Sequence, residues 1–226
     1  MHATMRAKIV RIDELLQAEY GDRPQPPPSE PLDELVFTIL SQNTTSKNYH
    51  RAYNQLKERF PTWEEVLGAP QEEVEAAIRT AGLANVKAPR IQKILRQVAK
   101  ERGELSLSFL HQLPLDEAFQ YLLKFDGVGP KTAACVLLFS CGLPAFPVDT
   151  HVHRLSQRLG LVPEGTSAAA SQDILQELVP PEAAHRFHVN LVSHGRAVCK
   201  AQRPRCEKCV IAGECQFFSR EEEGKK

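Results

Sequence analysis

The chain has 226 residues, 42% hydrophobic and 25% charged, enough to bury a substantial core in one large or two small domains. Its 28 basic and 28 acidic residues cancel, so overall charge gives no reason for binding a polyanion, and any such affinity must come from local clusters. No stretch approaches the ~20 apolar residues that span a bilayer, and the residues from Met1 to Lys8 lack the apolar core of a signal peptide, so a cytoplasmic protein with no membrane partner is expected.

Ile9, Ile12, Leu15 and Leu16 recur at helical spacing within residues 6–19 and predict a first amphipathic helix ended by Gly21. Asp22 to Pro31 holds five prolines and no helical period, which marks a wrapping connection. Leu35, Val36, Ile39 and Leu40 form the buried face of a second helix beginning at Pro31. It runs into Ser41-Gln42-Asn43-Thr44-Thr45, a polar cluster that is either a capped helix end or a functional loop.

A helix is expected from Tyr49 to Phe60, and Thr62-Trp63-Glu64-Glu65 is a capping box for the next. Another spans Glu72 to Thr80, where Gly82 suits the position after a helix end. Leu83 then sits before a helix from Lys87 to Lys100, as a cap contact or an exposed wedge. Short helices follow around Phe109 and from Asp116.

Ala118, Leu122 and Phe125 share one helical face that Asp126-Gly127-Val128-Gly129-Pro130 breaks off. Two glycines allow a tight turn and close approach to another molecule, and Pro130 starts a nearly all-apolar helix from Lys131 to about Phe139. A Gly-rich turn feeding a helix N-terminus suits a phosphate oxygen. Lys131 there opposes the helix dipole. It is either a solvated chain reaching past the helix end or an amine whose protonated form is disfavoured, a nucleophile near neutral pH.

Asp149 is placed to cap a helix from Val152 to Leu159, and helices are expected from Ser167 to Leu178 and from Glu182 to His194, the latter ended by Gly195. A charged tail closes the chain at Glu221 to Lys226. No strand is indicated, so the fold class is all-α.

Cys135 and Cys141 fall in the apolar helix and read as small core residues. Cys199, Cys206, Cys209 and Cys215, with gaps of six, two and five residues, crowd into one loop too short to form a hydrophobic core. Four thiolates so placed need a common centre, tetrahedral zinc or an iron–sulfur cluster, and spacing chemistry leaves both open. Between Cys199 and Cys209, Lys200, Arg203, Arg205 and Lys208 face Glu207 alone, a basic loop suited to phosphate.

Gly127 to Ala133, Val148 to His151 and the cysteine spacing together resemble the helix-hairpin-helix DNA glycosylases of the endonuclease III type, over nearly the whole chain. The resemblance implies two helical lobes flanking a DNA cleft. One is a bundle over residues 32–146 holding the hairpin at about 116–142; the other joins 1–31 to 147–226 and carries the loop at 199–215.

It further implies Lys131 as nucleophile, Asp149 as essential carboxylate and a [4Fe–4S] cluster, in preference to zinc, on the four cysteines. Gly127, Val128 and Gly129 would grip phosphate, Gln42 would fill the gap left by an extruded nucleotide, and Leu83 would wedge the other strand. The implied partner is duplex DNA with damaged bases or abasic sites, bound by a monomer, at the nucleoid if the source is bacterial or archaeal.

The implied activity is removal of damaged bases, oxidised pyrimidines foremost, followed by β-elimination. The rival readings are an abasic-site lyase or mismatch-directed glycosylase and a non-catalytic DNA-binding module. Asp126, Pro130 and Ala81 depart from the family's usual residues.

Overall fold

The computed structural model describes residues 2–223; Met1 and the end of the charged tail, residues 224–226, lie outside the described residues. Every regular element among the described residues is helical. None of those helices is long and apolar enough to cross a membrane.

The chain divides into two compact units, one of residues 27–143 and one formed by the residues up to Pro26 with those from Pro144 on. Helix α1 (His2–Tyr20) belongs to the discontinuous unit. The continuous unit then holds α2 (Pro31–Ser41), α3 (Ser46–Arg59), α4 (Trp63–Gly68), α5 (Gln71–Ile78), α6 (Ala84–Arg102), α7 (Leu115–Leu123) and α8 (Pro130–Val136). The chain returns to the first unit with α9 (Thr150–Leu159), α10 (Ala168–Leu178), α11 (Ala184–Ala197) and α12 (Gln216–Glu223).

The proline-rich connection is shared between the units, where the sequence assigned residues up to 31 to the discontinuous one. The Ser29 N–H donates to the Ser140 carbonyl at 3.0 Å, and the Glu30 carboxylate accepts from the N–H groups of Leu107 at 2.7 Å and Leu32 at 3.3 Å. These bonds fix the segment before α2 to its own unit. At the other boundary Phe146 stacks on Phe187 of α11, with ring centroids 5.8 Å apart, so it packs in the discontinuous unit.

In the continuous unit, Leu35, Val36, Ile39 and Leu40 of α2 and Ala133 to Val136 of α8 are buried, as the apolar pattern requires. Thr62 and Glu65 form the reciprocal capping box that starts α4. Helix α6 begins at Ala84, three residues before Lys87, because the Leu83 carbonyl accepts from the N–H groups of Val86 and Lys87, each at 2.9 Å. After Val136 the helix widens into a π-type turn, Leu137–Cys141, which Gly142 closes.

In the discontinuous unit, α1 is held to α11 by the buried Asp13, which pairs with Arg186 at 2.5 Å. Tyr20 Oη and His194 Nδ1 of the same two helices are 2.9 Å apart. Helix α11 runs through Gly195 to Ala197. A Cβ at Gly195 would stand 2.9 Å from His151 Cβ, so this glycine serves the close approach of α9 and does not end the helix.

Candidate active site

The hairpin between α7 and α8 is closed by the Val128 N–H donating to the Phe125 carbonyl at 3.1 Å. Gly127 has φ 72°, a left-handed backbone that favours glycine, and the Arg90 side chain lies over it, with Nε 2.2 Å from where a Cβ would stand. Gly129 faces open space. Val128, grouped with them by the resemblance, is buried, 6% exposed. Lys93 of α6 donates to Asp126 at 3.1 Å and ties the hairpin to that helix.

Lys131, half-buried, stands in the first turn of α8. Glu34 of α2 lies within reach of its charge. Burial pushes the Glu34 carboxyl up to about 7, against the downward pull of the Thr38 hydroxyl, which donates at 3.0 Å, and of Lys131. Nothing in the sequence around Glu34 singles it out, because the pairing needs α2 and α8 side by side.

The Gln42 side chain is tied within the same unit. Its amide nitrogen donates to Thr132 Oγ1 at 3.3 Å and to the Gly127 carbonyl at 3.5 Å, and its oxygen accepts from Arg90 at 3.5 Å. The next residue, Asn43, is exposed with φ 55°; Leu83 is 52% exposed with φ 51°. Lys87, only 2% exposed, reaches the carbonyls of Leu40, Gln42 and Ala81 at 2.8, 2.7 and 3.0 Å. Sequence reasoning passes over Lys87, Arg90 and Lys93; their i, i+3, i+6 spacing on α6 is the available signal.

In the other unit Asp149 caps α9. One carboxylate oxygen, Oδ1, accepts from the N–H groups of His151 and Val152, each at 2.8 Å, which fixes the side chain's direction.

The four-cysteine loop is held to α9 by two arginines. Arg154 donates to the Cys199 carbonyl at 2.8 Å and the Gly195 carbonyl at 3.0 Å. Arg158 donates to the Lys200 and Ala201 carbonyls at 2.8 and 3.0 Å and to Cys199 Sγ at 3.2 Å. Their signal in sequence is the i, i+4 spacing after Asp149-Thr150-His151.

All four cysteines are unpaired by disulfide and line one small cavity walled by Val198, Pro204, Phe217 and Phe218. Among the described residues, no three His, Cys, Asp or Glu side chains are grouped closely enough to hold one metal ion. Nε2 of the buried His194 lies 3.4 Å from Cys209 Sγ. Lys200, Arg203, Arg205 and Lys208 are distributed along the same loop, with Lys200, Arg203, Arg205 and Lys208 all exposed.

An all-α frame with this hairpin, its half-buried lysine and an aspartate-capped turn defines the class of helix-hairpin-helix DNA glycosylases. The chain belongs to the HhH-GPD superfamily of base excision DNA repair proteins, whose pattern matches residues 36–181. Endonuclease III of Thermotoga maritima is 35% identical over 87% of each chain. A protein of Arabidopsis thaliana named as a DNA glycosylase is 40% identical over 83% of this chain, which spans 62% of that relative's length. Among solved structures, a non-covalent complex of endonuclease III with DNA matches with TM-score 0.80 and 29% identity, over 96% of this chain and 98% of that one.

Proposed function

We propose that the chain removes damaged bases, oxidised pyrimidines foremost, from duplex DNA and cuts the resulting abasic strand through a lysine Schiff base. The observation that carries this reading is Lys131 in the first turn of α8, half-buried, with the Glu34 carboxyl within reach of its charge. An amine so placed leads directly off the glycine turn suited to a DNA phosphate.

A damaged base is extruded at a cost of a few kcal/mol, least where stacking is already weak. The Lys131 amine, deprotonated, attacks C1′; the base departs with the electron pair of the glycosidic bond and takes up a proton. Asp149, its carboxylate aimed by the α9 cap, assists by accepting the amine proton or by balancing the cationic sugar. Opening of the sugar gives a Schiff base on Lys131, which acidifies the 2′ position; loss of a 2′ proton expels the 3′ phosphate. Duplex DNA is the partner and the working form is a monomer.

Cys199, Cys206, Cys209 and Cys215 would hold a [4Fe–4S] cluster, which when bound supplies four sulfur bonds that fix the basic loop. Two features support this. The four cysteines line one cavity with apolar walls, so their sulfurs share a common space. Burial also pushes the Cys209 thiol up to about 11, so a cationic centre is needed to keep it as thiolate. The residues present therefore fit the cluster. Lys200, Arg203, Arg205 and Lys208 would lie on phosphates, as would the Gly127 to Gly129 backbone.

The test is borohydride trapping on a duplex with one oxidised pyrimidine. The expected result is a covalent protein–DNA adduct that disappears in Lys131→Ala together with strand cleavage. Absence of the adduct from the unsubstituted protein, or cleavage surviving in Lys131→Ala, would remove the Schiff-base mechanism.

A further inference from the structure

His194 stands in the last turn of α11, fully buried, and both of its ring nitrogens meet a polar partner. Nδ1 lies 2.9 Å from Tyr20 Oη at the end of α1, 174 residues away in sequence, and Nε2 lies 3.4 Å from Cys209 Sγ. The imidazole therefore bridges the first helix of the chain and the four-cysteine loop.

Backbone bonds seat both ends of this bridge. The His194 carbonyl accepts from the N–H groups of Val198 and Cys199, each at 2.9 Å, so the residue whose ring reaches Cys209 also holds the start of the loop. One turn earlier on α11 the buried Asn190 donates to the Gly21 carbonyl at 3.3 Å, which fixes the residue next to Tyr20. The Tyr20 and His194 rings meet edge to face, with centroids 5.8 Å apart.

The protons available set the direction of both side-chain bonds. Burial disfavours the imidazolium, so the ring is neutral and carries one N–H. Burial also raises the Tyr20 hydroxyl above its ordinary value of 10.0, so it keeps its proton. A cysteine sulfur bonded to a cluster is a thiolate with no proton to give. Only Nε2 can then donate to Cys209, which leaves Nδ1 to accept from Tyr20. The donors run from Tyr20 through His194 to the sulfur.

We infer that His194, oriented by Tyr20, is a positioning residue that donates its Nε2–H to the Cys209 thiolate and raises the reduction potential of the bound cluster. This rests on the cluster proposed above. A donor at a ligand sulfur draws off negative charge, and the reduced cluster, with one electron more, gains more from it than the oxidised one. Arg158 already donates to Cys199 Sγ at 3.2 Å. His194 acts on a second sulfur through a neutral, buried group, so salt does not screen its effect.

The experiment uses the full chain purified with its cluster, quantified by iron, sulfide and visible absorbance. One-electron potentials are measured by protein-film voltammetry, the electrode supplying and taking up the electron, for the unsubstituted protein, His194→Phe, His194→Gln and Tyr20→Phe. Phenylalanine fills the place of the ring with no donor, and glutamine restores an N–H near the position of Nε2. Nitrogen NMR of labelled histidine reports which ring nitrogen carries the proton.

The expected result is a proton on Nε2 of His194 and, in His194→Phe at equal iron content, a shift of about tenfold in the one-electron equilibrium toward the oxidised cluster, a fall of about 59 mV. His194→Gln should recover at least half of that fall, and Tyr20→Phe should show a smaller fall, about twofold in the same equilibrium constant. An unchanged potential in His194→Phe, a fall as large in His194→Gln, or a proton on Nδ1 overturns the inference and leaves His194 a packing residue. If His194→Phe does not fold or takes up no cluster, Tyr20→Phe and the labelled protein carry the test. A lowered potential with the proton on Nε2 supports the inference, and an unchanged potential or a proton on Nδ1 overturns it. A brown protein whose potentials do not move refutes the inference alone, whereas a colourless protein holding zinc refutes the proposed cluster, and the inference with it.

Discussion

The two units stabilise their functional loops by different means. In the 27–143 unit three side chains of one helix, α6, hold the hairpin and two earlier loops, since Lys87 donates to the carbonyls of Gln42 and Ala81, Arg90 covers Gly127 and Lys93 pairs with Asp126. In the other unit the 199–215 loop is gripped by Arg154 and Arg158 of α9 and by Arg11 of α1, which pairs with Glu214 at 2.9 Å, while its four cysteines line a cavity. A loop that satisfies its own carbonyls with a buried cation is rigid without further help. A loop of four thiols depends on what bonds them.

The sharpest test of this contrast lies at Asp149, where capping and chemistry coincide. Asp149→Asn keeps the cap, because asparagine serves that position as well as aspartate, and excision is expected to fall about a thousandfold or more with an unchanged melting curve. Asp149→Ala should lose the same activity and a further ~1 kcal/mol of stability. A matching stability loss in both variants, measured by denaturant unfolding, would reduce Asp149 to a structural residue.

Next in size is the loop. Arg203→Ala/Lys208→Ala is expected to weaken DNA binding about tenfold or more at physiological salt. The slope of log K against log salt should fall by roughly 1.8, about 0.9 for each phosphate contact removed. Cys209→Ser, which removes one ligand of the proposed cluster, should abolish that cluster's broad visible absorbance and lower the same slope with both cations still present, because the loop no longer holds them in place. Slopes unchanged in both proteins, from fluorescence-anisotropy titrations at several salt concentrations, would take the loop out of the interface.

The smallest effect is at Glu34. A carboxyl raised from 4.5 to about 7 costs the folded state its ionisation, so this penalty is absent below about pH 4.5, grows as pH rises and is complete above about 7. Glu34→Gln is therefore expected to stabilise the protein by about 1–3 kcal/mol at pH 8 and by nothing at pH 4.5. Thermal melts across that range check it. A gain independent of pH would mean that packing, and not charge, is responsible.

Several features are legible in the sequence alone. Thr62 with Glu65, Asp149 before Thr150, and the apolar faces of α2 and α7 are local patterns whose physics acts over one or two helical turns. Gly195 misleads, because a glycine required by a neighbouring helix looks in sequence like one that ends its own. Gln42 stands out for its type and place, yet its side-chain partners at Gly127, Thr132 and Arg90 lie far along the chain and leave no trace near it.

By itself the sequence determined that the chain is all-α, that a Gly127-Val128-Gly129 turn delivers Lys131 to the head of a helix, and that four cysteines share one loop. Periodicity, capping and spacing are short-range and are written in neighbouring residues. Only the tertiary structure decided that Glu34 sits near Lys131, that Arg158 donates to Cys199, and that Lys87 binds the ends of two separate loops. Those are meetings of polar groups brought together by apolar packing, and their energies depend on burial and distance, which no single stretch of sequence specifies.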